Sequence, residues 1–240
     1  MNITMQRFEN QTFCDFDDRD SAAVFSDIEF YQCRFDGCLI SITRNPNLRT
    51  TVRNVSLTNC ALNGGSIGTA IIEDVVVNDL RISGLCQIFG AVFKHVTLCG
   101  RIGNFMANND VLPDLFVNRE YQHEDVELFR EVNTAYYRHV DWAIDISQAE
   151  FAKEVDIRGV PGRLIRRDPE TQILVMRERV LDSDWRDLPF KERLTPFSLD
   201  FMLKQELSDY VLVAPKRHRK FPLYLEDLRL LREAGIAESD

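Results

Sequence analysis

No apolar run in this chain approaches the length that crosses a bilayer, so a membrane-spanning helix is not expected. The opening stretch, MNITMQRFENQTF, has neither a basic segment followed by an apolar one nor a small-residue cleavage site, so no secretory signal is expected. There is no Cys-x-x-Cys pair; the shortest cysteine spacing is Cys33 to Cys38. Histidine is scarce: His95, His123, His139 and His218 show no i,i+4 pairing and no cysteine at zinc-ligand spacing, so no metal site is expected. No Gly-x-Ser-x-Gly elbow, P-loop or dinucleotide glycine fingerprint occurs. No catalytic residue and no cofactor are therefore assigned, and Gly159-Val160-Pro161-Gly162, the nearest glycine cluster, reads as a turn.

The 240 residues are 45% apolar and 28% charged, enough for one large domain or two small ones with a real core. The net charge of −9 is unevenly spread. Residues 1–106 hold eleven acidic against nine basic side chains, and residues 107–240 hold twenty-seven against twenty. A generally acidic chain repels nucleic acid and anionic lipid at long range, so neither is a favoured partner. All six cysteines lie in the first hundred residues. Without a secretory signal they are expected to be free thiols, which points to a cytoplasmic protein.

The decisive pattern is a five-residue beat. Phe25, Phe30, Phe35 and Ile40 are spaced five apart, and so are Val52, Leu57, Leu62, Ile67, Ile72, Val77 and Ile82. After one extra residue, Ile88, Phe93 and Leu98 resume it. Two positions earlier stand mostly small or apolar residues, among them Ala23, Cys33, Cys38, Cys60, Ala70, Cys86 and Ala91. Two positions later stand turn formers such as Asp27, Gly37, Asn59, Gly64, Asp74, Asp79 and Gly84. Each unit thus sends a small and a large side chain inward and then turns, and a turn every five residues winds the chain around its own core. Such a beat is too fast for a β-sandwich, whose turns come every 8–12 residues. Cys14, two residues before Phe16, fits the same inward thiol pattern. Leu62, Ile72 and Ile82 are expected to be fully buried in one column, with Leu62 and Ile82 one winding apart.

Ala23-Val24-Phe25-Ser26-Asp27, Cys33-Arg34-Phe35-Asp36-Gly37 and Cys60-Ala61-Leu62-Asn63-Gly64 resemble the units of the pentapeptide-repeat family over residues 8–105. The second position departs from that family's usual Asp or Asn, with Val24, Glu29, Arg34, Leu39, Ser56, Ala61 and Ile71 there instead. The resemblance implies a right-handed quadrilateral β-helix with four units per coil. The expected fold is mainly β: a pentapeptide-repeat-like β-solenoid over 1–106, then a C-terminal α+β domain over 107–240.

In the second half the beat stops at Ala107-Asn108-Asn109-Asp110, with Pro113 just beyond. Residues 120–139 read as a helix with Val126, Phe129, Val132, Tyr136 and Val140 on one face, placed to cap the solenoid. Residues 144–153 hold two pentapeptide-like units, which either resume the solenoid or form separate strands. Residues 164–167 and 173–180 read as a β-hairpin. A helix near 198–207, a strand at 210–213 and a helix at 221–234 complete the chain, with Pro222 in the first turn of the last helix and Gly235 at its stop.

Two segments are candidate binding sites. Residues 44–50 interrupt the beat and read as a loop protruding from a corner, with Arg44, Asn45, Asn47 and Arg49 as candidate interaction residues. Lys216, Arg217, Arg219 and Lys220 form a basic cluster before the last helix, a candidate anion site or a solvated loop. The carboxylates Asp182, Asp184 and Asp187 read as a solvated loop rather than a calcium loop.

Another protein is thus the expected partner, and a non-enzymatic interaction or scaffold protein the expected function. The family resemblance adds a DNA-mimic, topoisomerase-binding reading, disfavoured by a repeat region carrying only −2. Acidity and fold-level analogy add an immunity-type protein that neutralises a toxin. A C-terminal domain with enzymatic or nucleic-acid activity remains the reading from another class.

Overall fold

A computed structural model describes residues 2–3, 6–84, 86–108, 110–111, 122–153 and 155–238. The first strands are β1 (Asn2–Ile3), β2 (Gln6–Glu9), β3 (Thr12–Cys14), β4 (Val24–Tyr31), β5 (Arg34–Asp36) and β6 (Leu39–Ile40). Then come β7 (Thr51–Asn63), β8 (Ser66–Ile67), β9 (Ile71–Ser83), β10 (Cys86–Phe89), β11 (Val92–Ile102) and β12 (Phe105–Asn108). Helix α1 (His123–Tyr137) is followed by β13 (Ile144–Asp145), β14 (Ala149–Phe151), β15 (Asp156–Ile157) and β16 (Ile165–Arg166). Last are β17 (Gln172–Met176), α2 (Arg177–Leu181), α3 (Leu194–Lys204), β18 (Asp209–Val213) and α4 (Phe221–Glu233).

The fold is mainly β, with two large parallel sheets. The larger runs β1-β4-β7-β9-β11-β13-β16 and the smaller β15-β12-β10-β8-β6. Their register follows the five-residue beat. Val52, Leu57 and Leu62 pair with Ile72, Val77 and Ile82, twenty residues on. Ile72 and Val77 pair with Phe93 and Leu98, twenty-one on, because of the extra residue after Ile82. Phe25 and Phe30 pair with Val52 and Leu57, twenty-seven on, because the segment 44–50 adds seven. Neighbouring strands are therefore four units apart, and large inward residues fall into rows such as Phe25–Val52–Ile72–Phe93.

The corners obey the same period. Asn54, Asn59 and Gly64, then Asp74, Asp79 and Gly84, then Gly90, His95 and Gly100, all take positive φ. Each sits two residues after a large inward one. Asn and Asp tolerate that left-handed conformation through local hydrogen bonds, and glycine through its missing Cβ. At Gly65, which holds a small inward position, a Cβ would lie 2.2 Å from the Cys38 carbonyl oxygen. Only glycine fits there.

The two sheets share one apolar cluster, but its inward positions are not equally sealed. The small ones are closed: Ala23, Cys33, Cys60, Ala70 and Ala91 are all buried. Many of the large ones are only half-buried, including Phe30, Val52, Leu57, Leu62, Ile67 and Ile82. They line an apolar cavity of about 350 Å³ between the sheets. Leu62 and Ile82 are paired neighbours as expected, yet of the three residues expected to be fully buried only Ile72 is.

All six cysteines are free. Cys33 and Cys60 donate weakly to the carbonyls of Phe8 and Phe30, and burial pushes the Cys86 thiol up to about 12. Cys14 departs from its expected inward place. Phe13 pairs with Phe35 and is the inward residue, so Cys14, opposite Asp36, points outward and is exposed.

After α1 the chain returns to both sheets. Ile144 pairs with Val96, Ala149 with Gly100, and Asp156 with Met106, all in parallel. The parallel sheets thus continue past residue 106, and α1 interrupts them. The expected hairpin does not form: β16 pairs with β13, whereas β17 pairs antiparallel with β18. Residues 177–180, expected in that hairpin's second strand, fall in helix α2. Residues 120–121 of the expected first helix, and Asn109 and Pro113 before it, lie outside the described residues. Helix α1 itself bonds along the side of the sheets. The Tyr137 hydroxyl accepts from the Phe93 N–H at 3.2 Å, and the Tyr136 hydroxyl donates to Glu73 at 2.8 Å.

The last elements form a second core of Ile173, Val175, Leu199, Met202, Leu228 and Leu231. Asp227, fully buried on α4, accepts from the Lys191 and Glu192 N–H groups and the Thr195 hydroxyl, fastening the start of α3. No described helix is long and apolar enough to cross a membrane.

Candidate binding surfaces

The expected interaction loop turns inward. Asn45 caps a short helical turn, Pro46–Leu48, by accepting from the Asn47 N–H. Arg49 is buried: its guanidinium donates to the carbonyl oxygens of Thr69 and Gly90 and to Asn133 on α1. It also lies over the Phe129 ring at 5.4 Å. Arg44 pairs with Asp125 at 2.8 Å. A buried guanidinium needs its donors satisfied, and α1 with two strand ends supplies the acceptors. The segment therefore clamps α1 to the sheets; Arg44, Asn45 and Asn47 are exposed, and Pro46 and Leu48 half-buried.

The basic cluster separates into two kinds of residue. Lys216 pairs with Asp168 at 2.8 Å and Lys220 with Glu192 at 3.0 Å. These carboxylates belong to different segments, so the two lysines are not aimed at one shared anion. Burial alone would raise the Asp168 carboxyl, but hydrogen bonds from Lys216, Thr171 and the Glu170 N–H together hold it below its ordinary value. Arg217 and Arg219 are exposed, and among the described residues no carboxylate pairs with either. The Arg217 N–H donates to the Phe151 carbonyl, tying this loop to β14. Asp182, Asp184 and Asp187 are exposed, and no group of three metal-binding side chains occurs among the described residues.

One surface was not anticipated. Helix α3 buries Thr195, Leu199 and Met202 but leaves Leu194 and Phe197 in solvent, Phe197 62% exposed. The Phe201 ring lies nearly parallel to Phe197 at 6.4 Å and carries the Arg158 guanidinium 4.8 Å above it. Arg158 is held by Asp156 at 2.7 Å, and Asp156 accepts from the Tyr210 hydroxyl at 3.1 Å. Burial raises the Asp156 carboxyl, against the pull of Arg158. Asp200, on the same helix, pairs with Arg186 at 2.8 Å. An aromatic centre inside a charged rim is the anatomy of a protein-binding surface. Glu192 brings Lys220 close to the start of this helix. The signal was in the sequence: in Leu194-Thr-Pro-Phe-Ser-Leu-Asp-Phe-Met-Leu, apolar residues occupy both sides of the helix, more than one core requires.

No family model matches the chain, and no curated protein matches its sequence.

Proposed function

We propose that the protein is a non-enzymatic, cytoplasmic interaction protein, built on a right-handed quadrilateral β-helix of degenerate pentapeptide repeats and carrying a C-terminal α+β unit that binds another protein. The solenoid reading is supported by four-unit spacing between paired strands and four rows of large inward residues, closed by left-handed corners every five residues. The pentapeptide-repeat relationship rests on the same beat. The observation that carries the binding reading is the exposed pair Leu194 and Phe197 on α3, beside the half-buried Phe201 that Arg158 covers. Rigid repeat scaffolds present such side elements at low entropic cost to binding. A partner with an apolar patch would match Leu194 and Phe197.

Affinity purification from the native host with the wild-type chain and with Phe197→Asp tests this reading. A stoichiometric partner retained by the first and bound at least about thirtyfold more weakly by the second, at unchanged melting temperature, is expected. Equal capture by both proteins would remove the α3 face from the function.

A further inference from the structure

The cavity between the sheets is built in a way that a packing defect is not. Val52, Leu57, Leu62 and Ile67 belong to consecutive units, and each has strand partners on both sides. Phe25 and Ile72 flank Val52, Phe30 and Val77 flank Leu57, Phe35 and Ile82 flank Leu62, and Ile40 and Ile88 flank Ile67. All four are nevertheless only half-buried. Their remaining surface faces the cavity that they line. Toward later strands the interior closes, where Phe93, Leu98, Ile102 and Ile144 are sealed. The rows that include β2 and β3 are less sealed. Phe8, Phe13 and Phe16 line the cavity and keep exposed surface, and β2 and β3 have a described strand neighbour on one side only.

We propose that this cavity is a binding site for an unbranched alkyl chain of about ten carbons carrying an uncharged head group. Apart from the buried Ser66, Cys38 and Cys86 the lining is hydrocarbon and aromatic, so a polar group inside would find almost no partner. At 350 Å³ the space lies within the range of ligand pockets. It holds about ten methylene groups, from the transfer and cavity scales of hydrocarbon burial. Its length follows the stack: from Phe8 through Phe30, Leu57 and Val77 to Leu98 is four strand spacings, about 19 Å. An elongated interior selects a linear chain over a compact ring. The head group is set by the charge beside β2 and β3, where the exposed Glu9, Asp15, Asp17 and Asp20 outnumber the exposed Arg7 and Arg19. That surplus disfavours a fatty-acid carboxylate and leaves an alcohol, ester or amide.

The test uses the full chain with 1-decanol, decanoate and cyclododecanol, followed by native mass spectrometry and thermal unfolding. A 1:1 complex with 1-decanol and a raised melting temperature are expected, with cyclododecanol giving neither and decanoate at least tenfold weaker. Leu57→Phe and Leu62→Phe each fill the space from a different side, so each should weaken 1-decanol binding at least tenfold. Each variant should also melt higher than the wild type in the absence of ligand. No shift of the wild type with 1-decanol would overturn the site. So would equal binding by the wild type and whichever filling variant folds. Decanoate binding as tightly as decanol would overturn the head-group assignment.

Discussion

The parallel sheets and the unit made by β17, β18 and α2 to α4 bury their apolar side chains by different means. In the second unit Leu199, Met202 and Leu231 have no exposed surface at all. In the sheets Leu57 and Leu62, flanked by apolar neighbours on both sides, remain half-buried. The difference lies in what fixes the spacing. Helices packed on a small antiparallel pair can slide and rotate until side chains interdigitate. In the parallel sheets the backbone ladder fixes the spacing along each row, and contact between rows depends on side-chain length, as where Phe30 meets Phe35 at 5.2 Å. Large residues then fill the middle only if they are long enough. Phenylalanine stacks do so in part, as Phe13 on Phe35 and Phe8 on Phe30 show at 5.4 Å; valine and leucine do not. Periodicity makes a fold regular without making its core dense.

The sharpest way to break the second unit is to remove its buried charge. Asp227→Ala would orphan three donors inside the protein, the N–H groups of Lys191 and Glu192 and the Thr195 hydroxyl. At about 1–3 kcal/mol per unsatisfied group, the loss should reach about 5 kcal/mol in urea unfolding. Asp227→Asn keeps one acceptor oxygen and should recover about half of it. A loss under about 1 kcal/mol for the alanine variant would show that α3 does not depend on this anchor.

Matched leucine truncations sharpen the comparison directly. Leu199→Ala, in the sealed core, should cost about 4 kcal/mol, near the upper end for such changes. Leu57→Ala should cost only about 2 kcal/mol, because part of the surface removed already faces a cavity. Equal losses in urea melts would mean that the two interiors are packed alike.

These differences also explain what was legible in the sequence. The five-residue beat marked the inward positions and its two interruptions, after Ile82 and at 44–50, and with the four units per coil that the family resemblance implies it set Leu62 beside Ile82, as observed. It could not tell what that insertion does, since the acceptors of Arg49 lie at Thr69, Gly90 and Asn133, far along the chain. It could not reveal the cavity either, because identical patterns enclose full or hollow interiors depending on side-chain length. The hairpin was misread because β16 and β17 both carry strand character, whereas their partners, β13 and β18, are set by nonlocal packing. Of the candidate site residues, the pattern located the exposed Arg217 and Arg219 but missed Phe197, whose meaning emerges only once Leu199 and Met202 are seen to face the other way.

The smallest expected effect concerns the seam where the two regions meet. Lys216 and Asp168 pair at 2.8 Å, and the Asp168 carboxyl is held below its ordinary value. A carboxyl whose folded pKa is depressed contributes stability above its unfolded pKa, near 3.9, and loses it as the pH falls through the lower folded value. The pair is partly solvated, with side-chain exposures of 19% and 33%, so its contribution is expected to stay under about 1 kcal/mol. Lys216→Met, which leaves Asp168 and its contacts with Thr171 and the Glu170 N–H in place, isolates the ion-pair share. The wild type should exceed this variant by that small margin in urea unfolding at pH 7, and the two should converge as the pH falls from about 4 toward 2. Added salt should narrow the gap at pH 7 as well. A gap that is unchanged down to pH 2 would mean that Lys216 acts through the packing of its aliphatic stem rather than through its charge.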